Sequence, residues 1–309
     1  MYLSTIITTL ICFFNFSVTS QTAIIKNINA QEMVFISDTQ QPMTIEKLVL
    51  KPTQNSKATA MLFSEIIKFK PKSVFMLGDI VSLGYKHHRW KKVDLFLDSL
   101  RAKDVAVYGL LGNHDVMGRT NKGEKNFKIR FKENERTGYL TITDSIAVIL
   151  LNSNFGKLNI IEKEKQLRWY QTTLKSLDDN ADILAIIVCC HHAPYTNSII
   201  VKSSKMVQEY FVTAYLQTKK TKLFITGHAH AFEHFKKMGK DFLVIGGGGG
   251  LHQPLKSSGK YIPDLAIDYK PLFHYLSVFR EKSQLNIISH FIKKDFSAFD
   301  NGYKISISY

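Results

Sequence analysis

Cysteine is almost missing from this sequence: there are three among 309 residues, Cys12 and the adjacent pair Cys189 and Cys190. Such a set supplies neither a disulfide framework nor a thiolate cage for a structural metal. Neighbours on a strand point to opposite faces, so a bridge between Cys189 and Cys190 would be strained, and both read as small apolar core residues. Acidic residues are also few beside basic ones, 26 against 41, leaving a formal charge of +15. That excess favours anionic substrates or surfaces. The lysines are scattered, as in Lys122, Lys125, Lys128, Lys132, Lys219, Lys220 and Lys222, without the interleaved aromatics of a single-stranded nucleic-acid track. A solvated basic surface is the expectation, with no specific nucleic acid as partner; a nucleic-acid binder would show affinity falling steeply with salt.

Low-complexity tracts are absent too, and a hydrophobic fraction of 45% is ordinary for a globular protein. The apolar run Ile6 to Val18 is shorter than the roughly 20 residues of a stable membrane span. Residues 1–20 carry no charge and end in small residues before Gln21, which reads as a signal peptide cut near Ser20, with an uncleaved anchor or a buried first element as the other readings. On the first reading the chain is secreted or periplasmic, and residues 21–309 form one elaborated domain.

What is present is a repeated pattern of short apolar runs, each closed by a polar cluster. Met33 to Ser37 leads to Asp38, Ser73 to Leu77 to Gly78 and Asp79, and Val105 to Leu111 to Gly112, Asn113, His114 and Asp115. Ile183 to Cys190 leads to His191 and His192, and Lys222 to Thr226 to Gly227, His228, Ala229 and His230. Between these strands, Ala58 to Lys68, Trp90 to Leu100, Glu162 to Leu177 and Val207 to Leu216 have helical spacing. The alternation predicts an α/β fold with a largely parallel sheet and a site beyond the carboxyl ends of its strands. After Gly246 to Gly250, the runs Tyr275 to Phe279, Leu285 to Phe291 and Tyr303 to Ser308 suggest a second, mainly antiparallel sheet packed on the first.

A lone Asp after a strand is usually a turn or a cap, but five such endings together are not a coincidence. Asp38, Asp79, Asn113, His191, His228 and His230 offer carboxylate oxygen, amide oxygen and imidazole nitrogen, donors suited to zinc, manganese or iron.

The blocks Ser37-Asp38-Thr39-Gln40, Gly78-Asp79, Gly112-Asn113-His114-Asp115, His191-His192-Ala193-Pro194 and Gly227-His228-Ala229-His230, in that order, resemble the calcineurin-like metallophosphoesterase superfamily. The last block, through Phe235, is similar to the purple acid phosphatase branch, with Phe232 and His234 where Tyr and Arg are common. The resemblance implies a four-layer α/β/β/α sandwich of two mixed sheets flanked by helices. It further implies a metallophosphoesterase catalytic domain over residues 21–309, holding two divalent or trivalent metal ions and hydrolysing a phosphorylated small molecule. Asp79 would bridge the metals, with Asp38, Gln40 and His230 completing one site and Asn113, His191 and His228 the other. A metal-activated hydroxide would be the nucleophile and His114 the general acid or hydrogen-bond donor. A phosphomonoesterase is expected first; a phosphodiesterase, a nucleotide or pyrophosphate hydrolase, or a non-catalytic metal-binding protein are the alternatives.

Departures from the family pattern matter. Gln40 replaces the usual His and offers at most an amide oxygen. Ser82 replaces the family's Asp or Tyr, so His114 needs another partner, for which Asp115 is a candidate, with a cap or brace of the loop as its other reading. His192 either contacts substrate or turns away, and His87 and His88 read as rim residues. The five glycines from Gly246 lack the Lys and Ser/Thr of a nucleotide loop and suggest close backbone packing beside the metals. Arg119 to Arg136 reads as a phosphate-attracting flap or a solvated loop.

Overall fold

The computed structural model describes residues 25–27, 32–256, 259 and 261–309. The expected leader, residues 1–20, lies outside the described residues. Two sheets are stacked face to face. The first has seven strands in the order β1 (Ile25–Asn27), β5 (Tyr139–Thr143), β6 (Ile146–Leu150), β7 (Ala185–Cys189), β8 (Thr221–Thr226), β10 (Lys240–Ile245), β9 (Phe232–Lys237). The second has six, β13 (Phe299–Ser308), β12 (Gln284–Ile292), β11 (His274–Glu281), β2 (Met33–Ile36), β3 (Ser73–Met76), β4 (Ala106–Gly109).

Both sheets are mixed. β2, β3 and β4 run parallel, as do β6, β7, β8 and β10, while β9 and β11 to β13 pair antiparallel. The strands in the middle read as unbroken apolar runs, Ile-Ala-Val-Ile-Leu in β6 and Ala-Ile-Ile-Val-Cys in β7, because both of their faces are covered. β12 instead alternates between deeply buried and partly exposed residues, with one face towards the core. A ladder of stacked rings, Phe35 on Phe75 at 4.7 Å and Phe75 on Tyr108 at 5.1 Å, runs across β2, β3 and β4 into the core between the sheets.

Helices cover the outer faces. α1 (Asn55–Phe69) and α2 (Lys91–Arg101) pack on the six-stranded sheet, joined by Phe63 stacked on Phe96 at 3.9 Å. α4 (Ile160–Asp179) covers the seven-stranded sheet and begins with a capping box between Asn159 and Glu162. Beside it the segment Lys205–Gln217 forms α5 (Lys205–Val207), a π turn (Gln208–Val212) and α6 (Thr213–Gln217). The four-layer arrangement is the expected one.

Two expectations need correction. The antiparallel strands β11 to β13 form no separate sheet; β11 pairs with β2, so they extend the sheet that carries Asp38 and Asp79. The five strands that end in polar clusters are accordingly divided, three in one sheet and two in the other. The segment Arg119 to Arg136 is neither flap nor loop at its start: Thr120–Arg130 is a helix, α3. It buries Phe127 and locks Arg130 onto Asp94 (Nη2 to Oδ2, 2.8 Å) and over the Trp90 ring at 4.5 Å.

Candidate metal centre

The two sheets meet in register so that their strand ends converge. Asp38 follows β2, Asp79 follows β3, Asn113 and His114 follow β4, His191 and His192 follow β7, and His228 and His230 follow β8. Three of these turns hold a non-glycine residue in the left-handed region: Asp38 (φ 60°), Asp79 (φ 48°) and His228 (φ 68°). Such conformations cost about 1–2 kcal/mol each and persist where the surroundings enforce them. Here the enforcement is a bonding net, with the Asp38 amide on the Gly78 carbonyl (3.1 Å) and the His228 amide on Asp38 Oδ2 (3.0 Å).

Asp79 lies at the centre and is buried. Its Oδ1 accepts the His114 amide at 2.7 Å, and its Oδ2 is 3.2 Å from His191 Nε2. Two overlapping groups have their potential ligand atoms within 4.8 Å of one another: Asp79, His191 and His228, and Asp38, Asp79 and His230. Asp79 belongs to both. Asn113 Oδ1 adds an amide oxygen 3.2 Å from His191 Nε2.

Gln40 is in place as well. Its amide nitrogen faces the carbonyl oxygens of Asp79 (2.7 Å) and Asp38 (3.2 Å), which leaves Oε1 facing His230 Nε2 at 3.3 Å. The imidazoles are oriented from behind: His191 Nδ1 donates to the Leu77 carbonyl (2.9 Å) and His230 Nδ1 to that of Leu251 (2.7 Å), so each Nε2 points into the cluster. In the neutral tautomer Gln40 Oε1 and His230 Nε2 are two acceptors aimed at each other, an arrangement that a cation or a proton must reconcile.

Electrostatics state the same demand for positive charge. Burial alone would raise the Asp79 pKa, yet the imidazoles of His191 and His114 hold it well below the ordinary range. Burial alone would lower that of His191, yet Asp79 pushes it up to about 9. His230 is likewise raised, its burial outweighed by the hydrogen bond to Asp38. His228 is lowered by burial and by His192 and His191, which leaves it a neutral donor of a lone pair. Oxygen and imidazole donors with no thiolate, preset tautomers and two carboxylates buried among the imidazoles fit a pair of borderline cations.

The other expected residues are accounted for. His114 is buried; its Nδ1 donates to the Ser82 carbonyl (3.2 Å), and its Nε2 lies 3.6 Å from Glu46 Oε1 and 3.8 Å from Asp79 Oδ2. The suggested partner Asp115 is turned away: it accepts the amides of Ile80 (3.1 Å), Val81 (3.2 Å) and Gly112 (2.9 Å) and so braces the two ligand loops. A backbone carbonyl therefore does what a family carboxylate would do. His192 bonds Ser153 Oγ at 2.8 Å and lies with its ring 4.5 Å from that of His228. The glycine run packs as expected, Gly248 and Gly250 donating to the carbonyls of Ser37 (2.8 Å) and Asp38 (2.9 Å). A Cβ on Gly250 would come within 2.4 Å of the His230 ring.

Glu46 and Ser153 were missed. Ser153 was findable, since Ile146–Leu150 followed by Asn152, Ser153 and Asn154 repeats the pattern of apolar run and polar cluster. Glu46 lies in a short 3-10 turn on a loop and carries no local signature.

The sequence profile of calcineurin-like phosphoesterases matches residues 33–232, a span that contains every proposed ligand. The chain belongs to the calcineurin-like phosphoesterase family. Metal-dependent hydrolysis of phosphoesters is the chemistry of this family, and a dinuclear metal centre is typical of it. Among solved structures, the phosphoesterase fold of this chain is similar to a purple acid phosphatase from yellow lupin seeds (TM-score 0.67, 17% identity, 90% of this chain and 53% of that one). It also resembles a dimetal phosphatase from Danio rerio (0.58, 13%, 90% and 98%) and the anchor protein of the Plasmodium inner membrane complex (0.61, 14%, 90% and 88%). The chain spans about half the length of the lupin protein. No curated protein matches its sequence. No helix among the described residues is long and apolar enough to cross a membrane.

Proposed function

We propose that this phosphoesterase is an exported phosphomonoesterase working with two metal ions, zinc, manganese or iron. One would be held by Asp38, Gln40, Asp79 and His230, the other by Asp79, Asn113, His191 and His228. The observation that carries the reading is the overlap of two three-residue ligand groups at a single buried carboxylate, Asp79. Two cations sharing that carboxylate would supply Lewis-acid polarisation of the phosphoryl oxygens and activation of the attacking water.

The chain's own groups do the rest. Asp79 keeps its charge because His191 and His114 surround it, and its Oδ1 fixes the His114 amide. His114, its Nδ1–H held by the Ser82 carbonyl and its Nε2 lying near Glu46 and Asp79, would in its imidazolium form give the Nε2 proton to the leaving oxygen. The surplus of basic residues favours a dianionic monoester over a monoanionic diester.

The test is hydrolysis of 4-nitrophenyl phosphate against bis(4-nitrophenyl) phosphate. Monoester kcat/KM should exceed diester kcat/KM by at least about tenfold, a barrier difference of about 1.4 kcal/mol. A chelator and Asp79→Ala should each abolish turnover of both. Activity retained in Asp79→Ala would remove the assignment, and the reverse preference would make the chain a diesterase. Export is supported by the uncharged, apolar residues 1–20. N-terminal sequencing of protein recovered outside the cytoplasm should begin at Gln21.

A further inference from the structure

Beside the ligand cluster lies a cleft of about 230 Å³ that the proposed chemistry does not use. Its floor includes Thr39, between the proposed ligands Asp38 and Gln40, and Ser82, whose carbonyl holds His114. Its rim carries His88, Arg89, Lys91 and Lys92. The volume is below that of a typical small-molecule site, so it suits one substituent of a ligand better than a whole one.

Three independent features give the cleft a preference for a compact anion. Among the described residues, Arg89, Lys91 and Lys92 are exposed and have no carboxylate partner. α1 begins here with no capping side chain, and α2 continues from the 3-10 turn His87–Trp90, whose own start has none either. The acidic residue in the first turn of α2, Asp94, is committed to Arg130 (2.8 Å), and α1 has none. Cations at a helix start oppose its dipole, an arrangement unfavourable by itself and relieved by a bound anion. Third, Ser82 is 1% exposed and its Oγ has no hydrogen-bond partner, although a buried hydroxyl normally finds one.

We propose that this cleft binds a second phosphoryl group of the substrate, so that the favoured substrates are small molecules carrying two phosphates, one cleaved at the metals and one held by Arg89, Lys92 and Ser82. The assignment rests on the phosphomonoesterase reading and adds to it a substrate class. Arg89 and Lys92 are specificity residues that do not touch the reacting phosphate. The cleft is lined by Thr39, Gln41 and Ile80 to Ser82, the residues that directly follow the proposed ligands Asp38 and Asp79 in the same two loops.

The metal-loaded full chain and its Arg89→Ala/Lys92→Ala double variant are compared on fructose 1,6-bisphosphate, fructose 6-phosphate and 4-nitrophenyl phosphate. In the parent chain KM should be lower for the bisphosphate than for the monophosphate by about tenfold or more. The double variant should erase that difference while leaving kcat/KM for 4-nitrophenyl phosphate within about twofold. In parallel, inorganic phosphate is titrated calorimetrically into the dialysed, metal-free full chain, where the double variant should weaken binding about tenfold or more. Equal effects on all three substrates, or none, overturn the proposal. Loss of phosphate binding with an unchanged bisphosphate preference also overturns it, because the cleft would then serve free phosphate. If no ester is hydrolysed but phosphate binding depends on Arg89 and Lys92, the hydrolase reading fails and the anion site stands.

Discussion

Replacing Asp79 with Asn leaves shape and hydrogen-bonding capacity almost intact and removes one charge, which isolates what that charge does. In the metal-free chain Asp79 pushes the His191 pKa up to about 9 from an ordinary 6.5. That gap corresponds to roughly 3 kcal/mol of interaction favouring the imidazolium. The sign follows from linkage: a histidine raised in the folded state stabilises the fold fully below 6.5 and loses that contribution as pH climbs through about 9. In Asp79→Asn the burial of His191 is no longer offset, so the imidazole should titrate below 6.5 and the pH-dependent stability between 6.5 and about 9 should vanish. Imidazole NMR titration of both chains after metal removal reads the pKa, urea unfolding at pH 6 and 9 reads the stability, and elemental analysis reads the metal content. The variant should lose its second metal and its turnover together. An unchanged His191 titration, or two metals retained with full turnover, would refute the central place given to Asp79.

Other outcomes follow from the same contacts. Gly250→Ala should drive its new methyl into the His230 ring, 2.4 Å from the Cβ position, and weaken metal affinity about 10–100-fold while the fold survives. Phe96→Ala removes a ring stacked at 3.9 Å on Phe63 beneath α1 and α2 and should destabilise by about 3–5 kcal/mol in urea titrations, with metal content unchanged in the folded fraction. Glu233, buried against the Thr196 hydroxyl and the Asn197 amide, has its pKa pushed up to about 7 by burial, so its ionisation opposes folding as pH rises from 4.5 through 7. Glu233→Gln should flatten that part of the pH–stability curve, measured by thermal melts from pH 4 to 8.

The ligands were legible because each sits at the end of a short apolar run, a signal carried within ten residues of sequence. Gln40 and the glycine run could be read for the same reason, as substitutions or repeats inside a local block. Sheet membership could not. Whether Tyr275 to Phe279 founds a new sheet or joins an old one depends on β11 finding β2 at the far end of the chain, and no local pattern encodes that pairing. α3 escaped notice because Thr120–Arg130 has little apolar periodicity; it is held by Phe127 and by Arg130 reaching Asp94 and Trp90. The partner of His114 was hidden for a further reason. A backbone carbonyl, that of Ser82, replaces a side chain, and every residue type has one.

The proposed ligands come from both sheets: Asp38, Asp79 and Asn113 from one, His191, His228 and His230 from the other. Cations held between them would act as rivets through the sandwich, adding to the apolar packing and to cross-sheet bonds such as Tyr139 Oη with Gly109 and Arg280 with Asp144. By mass action, every tenfold rise in free metal above the dissociation constant then adds about 1.4 kcal/mol per bound ion to the stability of the sandwich. A chain of this design would gain robustness wherever free metal rises above that constant.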